Sequence, residues 1–207
     1  MNRPAVERVV LLDEDGNAVG EADKSAVHHA ETPLHLAFSC YVLDRGGRLL
    51  VTRRALSKAT FPGVWSNSCC GHPAPGEDVE QAVVRRVRQE LGLSLRDLRL
   101  VLPRFRYRAV MDSGVIENEM CPVYVATSAD DVRADPDEVE EHRWEPWPEF
   151  RESVLAGHDV SSWCREQVAE LPVDLLAAPD RPRSELPPAA RSGAAVSEGW
   201  FSRGGGE

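Results

Sequence analysis

The sequence predicts an antiparallel, mixed α/β (α+β) domain. Three observations carry this expectation. Short apolar runs bounded by turn residues recur between Val9 and Trp147, and one segment alone keeps helical spacing for several turns. The hydrophobic fraction of 42% in 207 residues suffices for one buried core. Length then sets one domain, residues 1–177 with its core at about 35–170, followed by a tail.

Val9 to Leu12 is a strand leading into Asp13-Glu14-Asp15-Gly16-Asn17, whose residue types favour a hairpin turn. His35 to Leu43 and Arg48 to Arg54 flank Arg45-Gly46-Gly47 and form a second hairpin. On the first of these strands Leu36, Phe38, Cys40 and Val42 alternate on an apolar side opposite His35. Asp78 to Leu91 is the clearest helix, with Val79, Ala82, Val83, Val87 and Leu91 on one stripe. Asp78 and Gln81 have the spacing of a capping box, and Gly92 stands where a C-cap glycine belongs. Arg86 and Glu90, four apart, share a face away from that stripe. Strands return at Phe105 to Val110, Val115 to Ala126 and near Arg143 to Trp147. From Ala178 onward, four prolines and five glycines in 30 residues predict a flexible or disordered tail, 178–207, with Trp200-Phe201 inside it. There is no internal repeat.

A formal charge of −10 disfavours nucleic acid or an anionic membrane surface as partner. It leaves room for a local cluster of Lys and Arg around a small anion. No stretch approaches 18 apolar residues, so no transmembrane helix is expected. The opening MNRPAVERVVLLDEDG is too short and too charged for a signal peptide. Five cysteines, an odd number with Cys69 and Cys70 adjacent, argue against a disulfide framework. A reduced, cytoplasmic protein is expected.

The chemistry concentrates at Cys70-Gly71-His72, followed by Glu77 and the helix end Arg85-Arg86-Val87-Arg88-Gln89-Glu90-Leu91-Gly92. This stretch resembles the Nudix box: Gly, five residues, Glu, seven residues, Arg-Glu, an aliphatic residue, any residue, Glu-Glu, any residue, Gly. Gly71, Glu77, Arg85, Glu90 and Gly92 fit the register, whereas Arg86 and Gln89 stand where carboxylates belong. A hydrolytic box gathers acidic side chains to hold Mg²⁺ and activate water. One remaining carboxylate argues for holding a diphosphate rather than cutting it.

Several further motifs make the chain, from about Val9 to Trp163, similar to the type I isopentenyl-diphosphate isomerases, which are built on the Nudix fold, so the resemblance implies a mixed β-sheet sandwiched between helices. They are HHAETPLHLAFS with His28 and His35, TRRALSK with Arg54 and Lys58, FPGVWSNSCCGHP, FRYRA with Tyr107, and VIENEMCP with Glu117 and Glu119. The resemblance implies conversion of isopentenyl to dimethylallyl diphosphate, by protonation at C4 and deprotonation at C2 through a carbocation-like intermediate. It implies Cys70, Glu119 and Tyr107 as the catalytic group, and a tight divalent metal on His28, His35, His72, Glu117 and Glu119. It further implies a substrate-borne Mg²⁺ on Glu90, and substrate contacts from Lys24, Arg54, Lys58, Arg86 and Trp163.

The residues make physical sense of this. Glu117 and Glu119 project from one face of a strand while Asn118 points away. Imidazoles mixed with carboxylates suit Mn²⁺, Zn²⁺ or Fe²⁺ better than Mg²⁺ alone. Arg86 in place of a metal ligand gives a cation to a phosphate. A useful Cys70 would need a lowered thiol pKa, which His72, the metal and nearby cations would supply. Tyr107 would relay a proton to a metal-bound Glu119. Trp65 is a further candidate for the pocket wall, and Cys69 reads as structural. A Nudix hydrolase of a nucleotide or prenyl diphosphate is the alternative function, and a non-enzymatic diphosphate-binding module the third. A monomer is expected.

Overall fold

The computed structural model describes residues 7–191. In chain order the elements are β1 (Arg8–Leu12), β2 (Ala18–Asp23), α1 (Lys24–Val27), β3 (His35–Leu36), β4 (Phe38–Leu43), β5 (Arg48–Arg54), β6 (Trp65–Ser66) and β7 (Cys69–Gly71). Then follow α2 (Val79–Leu91), β8 (Arg96–Leu102), β9 (Arg106–Val110), β10 (Ile116–Met120), β11 (Val123–Thr127), β12 (Val139–Pro146), α3 (Trp147–Leu155) and α4 (Ser162–Glu170). They build two mixed sheets. One has the order β2-β1-β3-β10-β9, the other β12-β5-β4-β11-β8, with β6 paired to β5 and β7 to β4.

Two runs expected as single strands are each divided between the sheets. His35–Leu43 breaks at Ala37 and Val115–Ala126 breaks at Cys121-Pro122. Pro122 has no N–H to continue a ladder. At this level Ala37 N–H donates to Met120 O (3.0 Å) and Ser39 N–H to Pro122 O (3.0 Å), so both strands cross from one sheet to the other together. The crossing keeps β3 parallel to β10 and β4 parallel to β11. Its product is a row across three strands: His35 faces Glu119, and Glu119 faces Tyr107.

The second sheet is buried on both faces. Leu36, Phe38, Cys40 and Val42 pack with Val79, Ala82, Val83, Val87 and Leu91 of α2. Ala37, Tyr41 and Leu43 pack on the other side with Trp147, Phe150 and Val154 of α3 and Trp163, Cys164 and Val168 of α4. Helix α2 starts as expected, with Asp78 accepting from the N–H groups of Glu80 and Gln81. It ends on Gly92 at φ 69°, a left-handed C-cap. Arg86 and Glu90, expected off its apolar stripe, lie within it, three or four residues from Ala82, Val83 and Val87, and both are buried. The helix packs on β7, where Gly71 is required: a Cβ there would stand 2.9 Å from the Phe38 ring and 3.0 Å from Arg86 Cγ.

The expected boundary of the tail is corrected for its first part. Residues 178–191 are packed, with Leu186 and Ala190 in the α2-side core. Arg181 N–H donates to Leu100 O (2.8 Å), Ala189 N–H donates to Gly16 O (2.9 Å), and Arg183 pairs with Asp180 (2.6 Å). Prolines here start two single 3-10 turns, Arg183–Glu185 after Pro182 and Pro188–Ala190 after Pro187, instead of freeing the chain. Trp200-Phe201 lies outside the described residues.

Candidate active site

One cavity of about 590 Å³ opens where α1, the loop after β5, β7, α2, β9, β10 and α4 meet. It is lined by Lys24, His28, Arg54, Lys58, Cys70, His72, Arg86, Tyr107, Glu117, Glu119 and Trp163. All expected site residues except His35 and Glu90 therefore reach its wall, and both exceptions stand directly behind it.

The imidazoles of His28, His35 and His72 converge on one oxygen, Glu119 Oε1, with their Nε2 atoms at 3.9, 3.4 and 3.0 Å. One ligand atom from each of these four residues lies within 4.8 Å of the others. The donor set fits a divalent metal. His35 Nδ1 donates to the Pro33 carbonyl (2.9 Å), which turns Nε2 toward the carboxylate. The Nε2 atoms of His28 and His35 are buried and have no hydrogen-bond partner among the described residues. A lone pair aimed at a carboxylate oxygen calls for a cation between them. Burial pulls the His35 imidazole down, yet the charge of Glu119 close beside it outweighs burial and raises its pKa. Burial drives His72 down to about 4, the neutral form a metal requires. Burial also pushes Glu119 up, but the surrounding imidazoles outweigh it and hold the carboxyl well below the usual range.

Glu117 stands one step out from this group. Tyr107 Oη is hydrogen-bonded both to Glu117 Oε2 (2.9 Å) and to Glu119 Oε2 (2.7 Å), tying the two carboxylates together. Burial, then the two glutamates, push the phenol well above its usual pKa, so it keeps its proton. Asn118 points the other way and donates to Thr32 O (3.2 Å).

Cys70 Sγ lies 3.3 Å from Ser39 Oγ and 3.3 Å from Asn67 Oδ1. The protein's own groups do not by themselves supply the lowered pKa expected of it. Burial raises the thiol to about 11, more than the hydrogen bond of Ser39 and the charge of Arg54 can offset. Trp163 is buried beside it, its ring 5.5 Å from that of Tyr107 and 5.2 Å from that of Phe61. Arg54 sits 5.8 Å over the same indole. Trp65 is elsewhere: it stacks on Arg143 at 4.1 Å and does not line the cavity.

The four cations at the mouth have carboxylate or carbonyl partners. Lys24 pairs with Glu7 (2.6 Å), Lys58 with Glu138, and Arg86 with Glu90 and Glu138 (3.2 Å to the latter). Arg54 donates to the Thr60 carbonyl (2.8 Å) and to the Phe61 carbonyl (3.2 Å). Phe61 adopts φ 46°, a left-handed conformation uncommon for an aromatic residue. Glu90 is buried behind Arg86, where Cys69 Sγ donates to it (3.4 Å). The other box residues hold the loop: Arg85 bonds both oxygens of Glu77 (2.7 Å each) and donates to the His72 carbonyl (3.3 Å). Glu138 and Glu7 were not singled out from the sequence, since nothing separates them there from their acidic neighbours. Phe61 carried a signal only as part of the FPGVW motif.

The NUDIX domain family matches residues 33–164. An isopentenyl-diphosphate Delta-isomerase of Mycolicibacterium vanbaalenii is 58% identical over 162 residues, 78% of this chain and 90% of that protein. Its counterpart in Saccharopolyspora erythraea is 57% identical, covering 84% of this chain and 90% of that one. That of Leifsonia xyli is 53% identical over 88% and 99%. Among solved structures, a protein of Deinococcus radiodurans superposes with a TM-score of 0.60 at 22% identity, over 79% of this chain and 98% of that one. A MutT NUDIX hydrolase of Burkholderia pseudomallei gives 0.51 at 23%, over 67% and 98%. These two likenesses establish the fold. Identity above half, sustained over nine-tenths or more of three relatives, settles the lineage: this chain belongs to the isopentenyl-diphosphate Delta-isomerase family of NUDIX-domain proteins.

Proposed function

We propose that the chain interconverts isopentenyl and dimethylallyl diphosphate by adding one proton to C4 and removing another from C2. The observation that carries this reading is one cavity combining Cys70, Glu119, Tyr107 and Trp163 with a cationic mouth, beside a box short of two carboxylates. The diphosphate is gripped by Lys24, Arg54, Lys58 and Arg86, which places the five-carbon alkene deeper, against the thiol and the carboxylate. Each of these two groups gives a proton in one direction of the reaction and takes it back in the other. The formula of the substrate is unchanged. Tyr107, hydrogen-bonded to Glu119, supplies or shares the proton on that side. The indole of Trp163 faces the developing tertiary cation, a contact worth about 2 kcal/mol when desolvated. The aromatic wall of Phe61, Tyr107 and Trp163 keeps out water that would trap the cation.

His28, His35, His72 and Glu119, with Glu117 beside them, are the residues we assign to one tightly held divalent ion, Mn²⁺ or Zn²⁺. Such an ion would supply the positive charge that fixes the Glu119 carboxylate and sets its basicity. Glu90 is assigned to Mg²⁺ brought in on the diphosphate, exchanging its present partners Arg86 and Cys69 for it. We place the enzyme in the cytoplasm as a monomer; among the described residues no helix is long and apolar enough to cross a membrane.

Incubation with isopentenyl diphosphate and Mg²⁺, followed by ³¹P NMR, tests this against the hydrolase. Dimethylallyl diphosphate with both phosphates intact is expected. Release of orthophosphate or a monophosphate would establish the alternative.

A further inference from the structure

Behind Cys70 lies a group of buried polar side chains that the reaction described so far does not use. Ser39, Tyr41 and Gln167 are all fully buried, and Asn67 nearly so. None of the four lines the cavity. Uncharged polar groups sunk this deeply into a core are tolerated when every donor and acceptor is satisfied. Their hydrogen-bond directions can be followed one by one. Tyr41 O–H donates to Gln167 Oε1 (3.0 Å), which leaves the Gln167 amide to donate through Nε2 to Ser39 Oγ (2.9 Å). Ser39, having accepted, turns its own proton toward sulfur, with Cys70 Sγ at 3.3 Å and Cys121 Sγ at 3.4 Å. On the other side, Asn67 Nδ2 donates to the carbonyls of Cys40 (3.1 Å) and Cys69 (3.0 Å). Carbonyls only accept, so Asn67 must present Oδ1 to the Cys70 thiol at 3.3 Å. Ser66 O–H donates to the same Oδ1 (2.9 Å) and holds it in place.

We infer that Ser39 and Gln167 are positioning residues for the Cys70 sulfur, forming with Asn67 a cradle that aims it into the cavity. The inference rests on the reading of Cys70 as a proton-transfer group. The cradle has a consistent polarity. Asn67 takes the thiol proton's hydrogen bond, and Ser39 offers its own proton to the sulfur lone pair. The strand register supports it from below: Ser39 is the partner of Cys70 between β4 and β7, and of Val123 between β4 and β11. The backbone of Ser39 is therefore fixed on both sides, and Gln167, from α4, fixes its side chain. Proton transfer to carbon has a narrow tolerance in distance and direction, and a misplacement of roughly 1 Å costs about a hundredfold in rate. Truncating the cradle should therefore slow the chemical step and leave diphosphate binding alone.

The test is steady-state kinetics on the metal-loaded full chain for Ser39→Ala, Ser39→Thr, Gln167→Leu and Cys70→Ala, with a melting curve for each. Ser39→Ala and Gln167→Leu are expected to lower kcat by about tenfold to a hundredfold with KM within about twofold of the parent. Ser39→Thr, which keeps the hydroxyl, should recover most of kcat. If Gln167→Leu does not fold, Ser39→Ala carries the test, since it removes a single oxygen. A folded Ser39→Ala enzyme with unchanged kcat, or with the loss confined to KM, would overturn the inference. So would a Ser39→Thr enzyme as slow as Ser39→Ala. Full activity in Cys70→Ala is a different failure: it would remove the assignment of Cys70 itself.

Discussion

Cys70 and Glu119 occupy opposite electrostatic situations inside one cavity. Burial holds the thiol protonated, near pKa 11, while the imidazoles around Glu119 hold that carboxyl ionised. The thiol therefore reacts with alkylating agents only through a small thiolate fraction. Iodoacetamide labelling of Cys70 should rise about tenfold per pH unit between pH 7 and 9, with no plateau. A plateau below pH 8 would show that something in solution lowers the pKa. The other four cysteines are buried, so peptide mapping should find Cys70 labelled first. Cys70→Ala and Glu119→Gln should each lower kcat by about 10² to 10⁴ while still folding, the usual span for a lost proton-transfer group. These positions were readable in the sequence because each sits in a compact motif with unusual residue types. Glu138 and Ser39 were not, because their roles arise from partners 52 and 31 residues away. Trp65 misled for the same reason: an aromatic next to a motif looks like a wall until its Arg143 partner is seen.

At the scale of the element, the informative event is the shared crossing of β3/β4 and β10/β11 between the sheets. It aligns His35, Glu119 and Tyr107 across three strands. Alternation of apolar residues announced the strands but not the division, since both sheet faces of β4 are buried and periodicity continues through Ala37. Only Pro122 hinted at it. Helix α2 was legible from stripe to cap because local chemistry dictates it. The closeness of α2 to β7 is the tightest constraint in the site. Gly71→Ala should destabilise the protein by about 1–3 kcal/mol, read from urea unfolding, because the new methyl meets the Phe38 ring and Arg86. The packed segment after Ala178 makes the opposite kind of prediction. Leu186→Ala should cost about 2–3 kcal/mol, a core-sized loss. A cost below about 0.5 kcal/mol would mean that this segment contributes little.

For the molecule as a whole, the site joins parts that are distant in the chain. The imidazoles and Glu119 come from the ends of α1 and β7 and from β3 and β10, so an ion held by them would bridge both sheets. Saturating Mn²⁺ or Zn²⁺ at about a hundredfold over its Kd should then add about 2.7 kcal/mol, a rise in Tm of roughly 5–10 °C. His72→Ala should abolish most of that rise. The charge distribution follows the same logic: a chain of net charge −10 concentrates Lys24, Arg54, Lys58 and Arg86 at a single opening. Composition disfavoured nucleic acid but gave no hint of where the cations would gather, which the fold alone decides. The central claim is that Cys70 and Glu119 move protons at two carbons of one alkene. It is tested most directly by incubating the enzyme with isopentenyl diphosphate in D₂O and locating deuterium by NMR. The account predicts deuterium in the methyl group of dimethylallyl diphosphate and loss of that incorporation in Cys70→Ala and Glu119→Gln. Product free of deuterium, or incorporation that survives both substitutions, would contradict it.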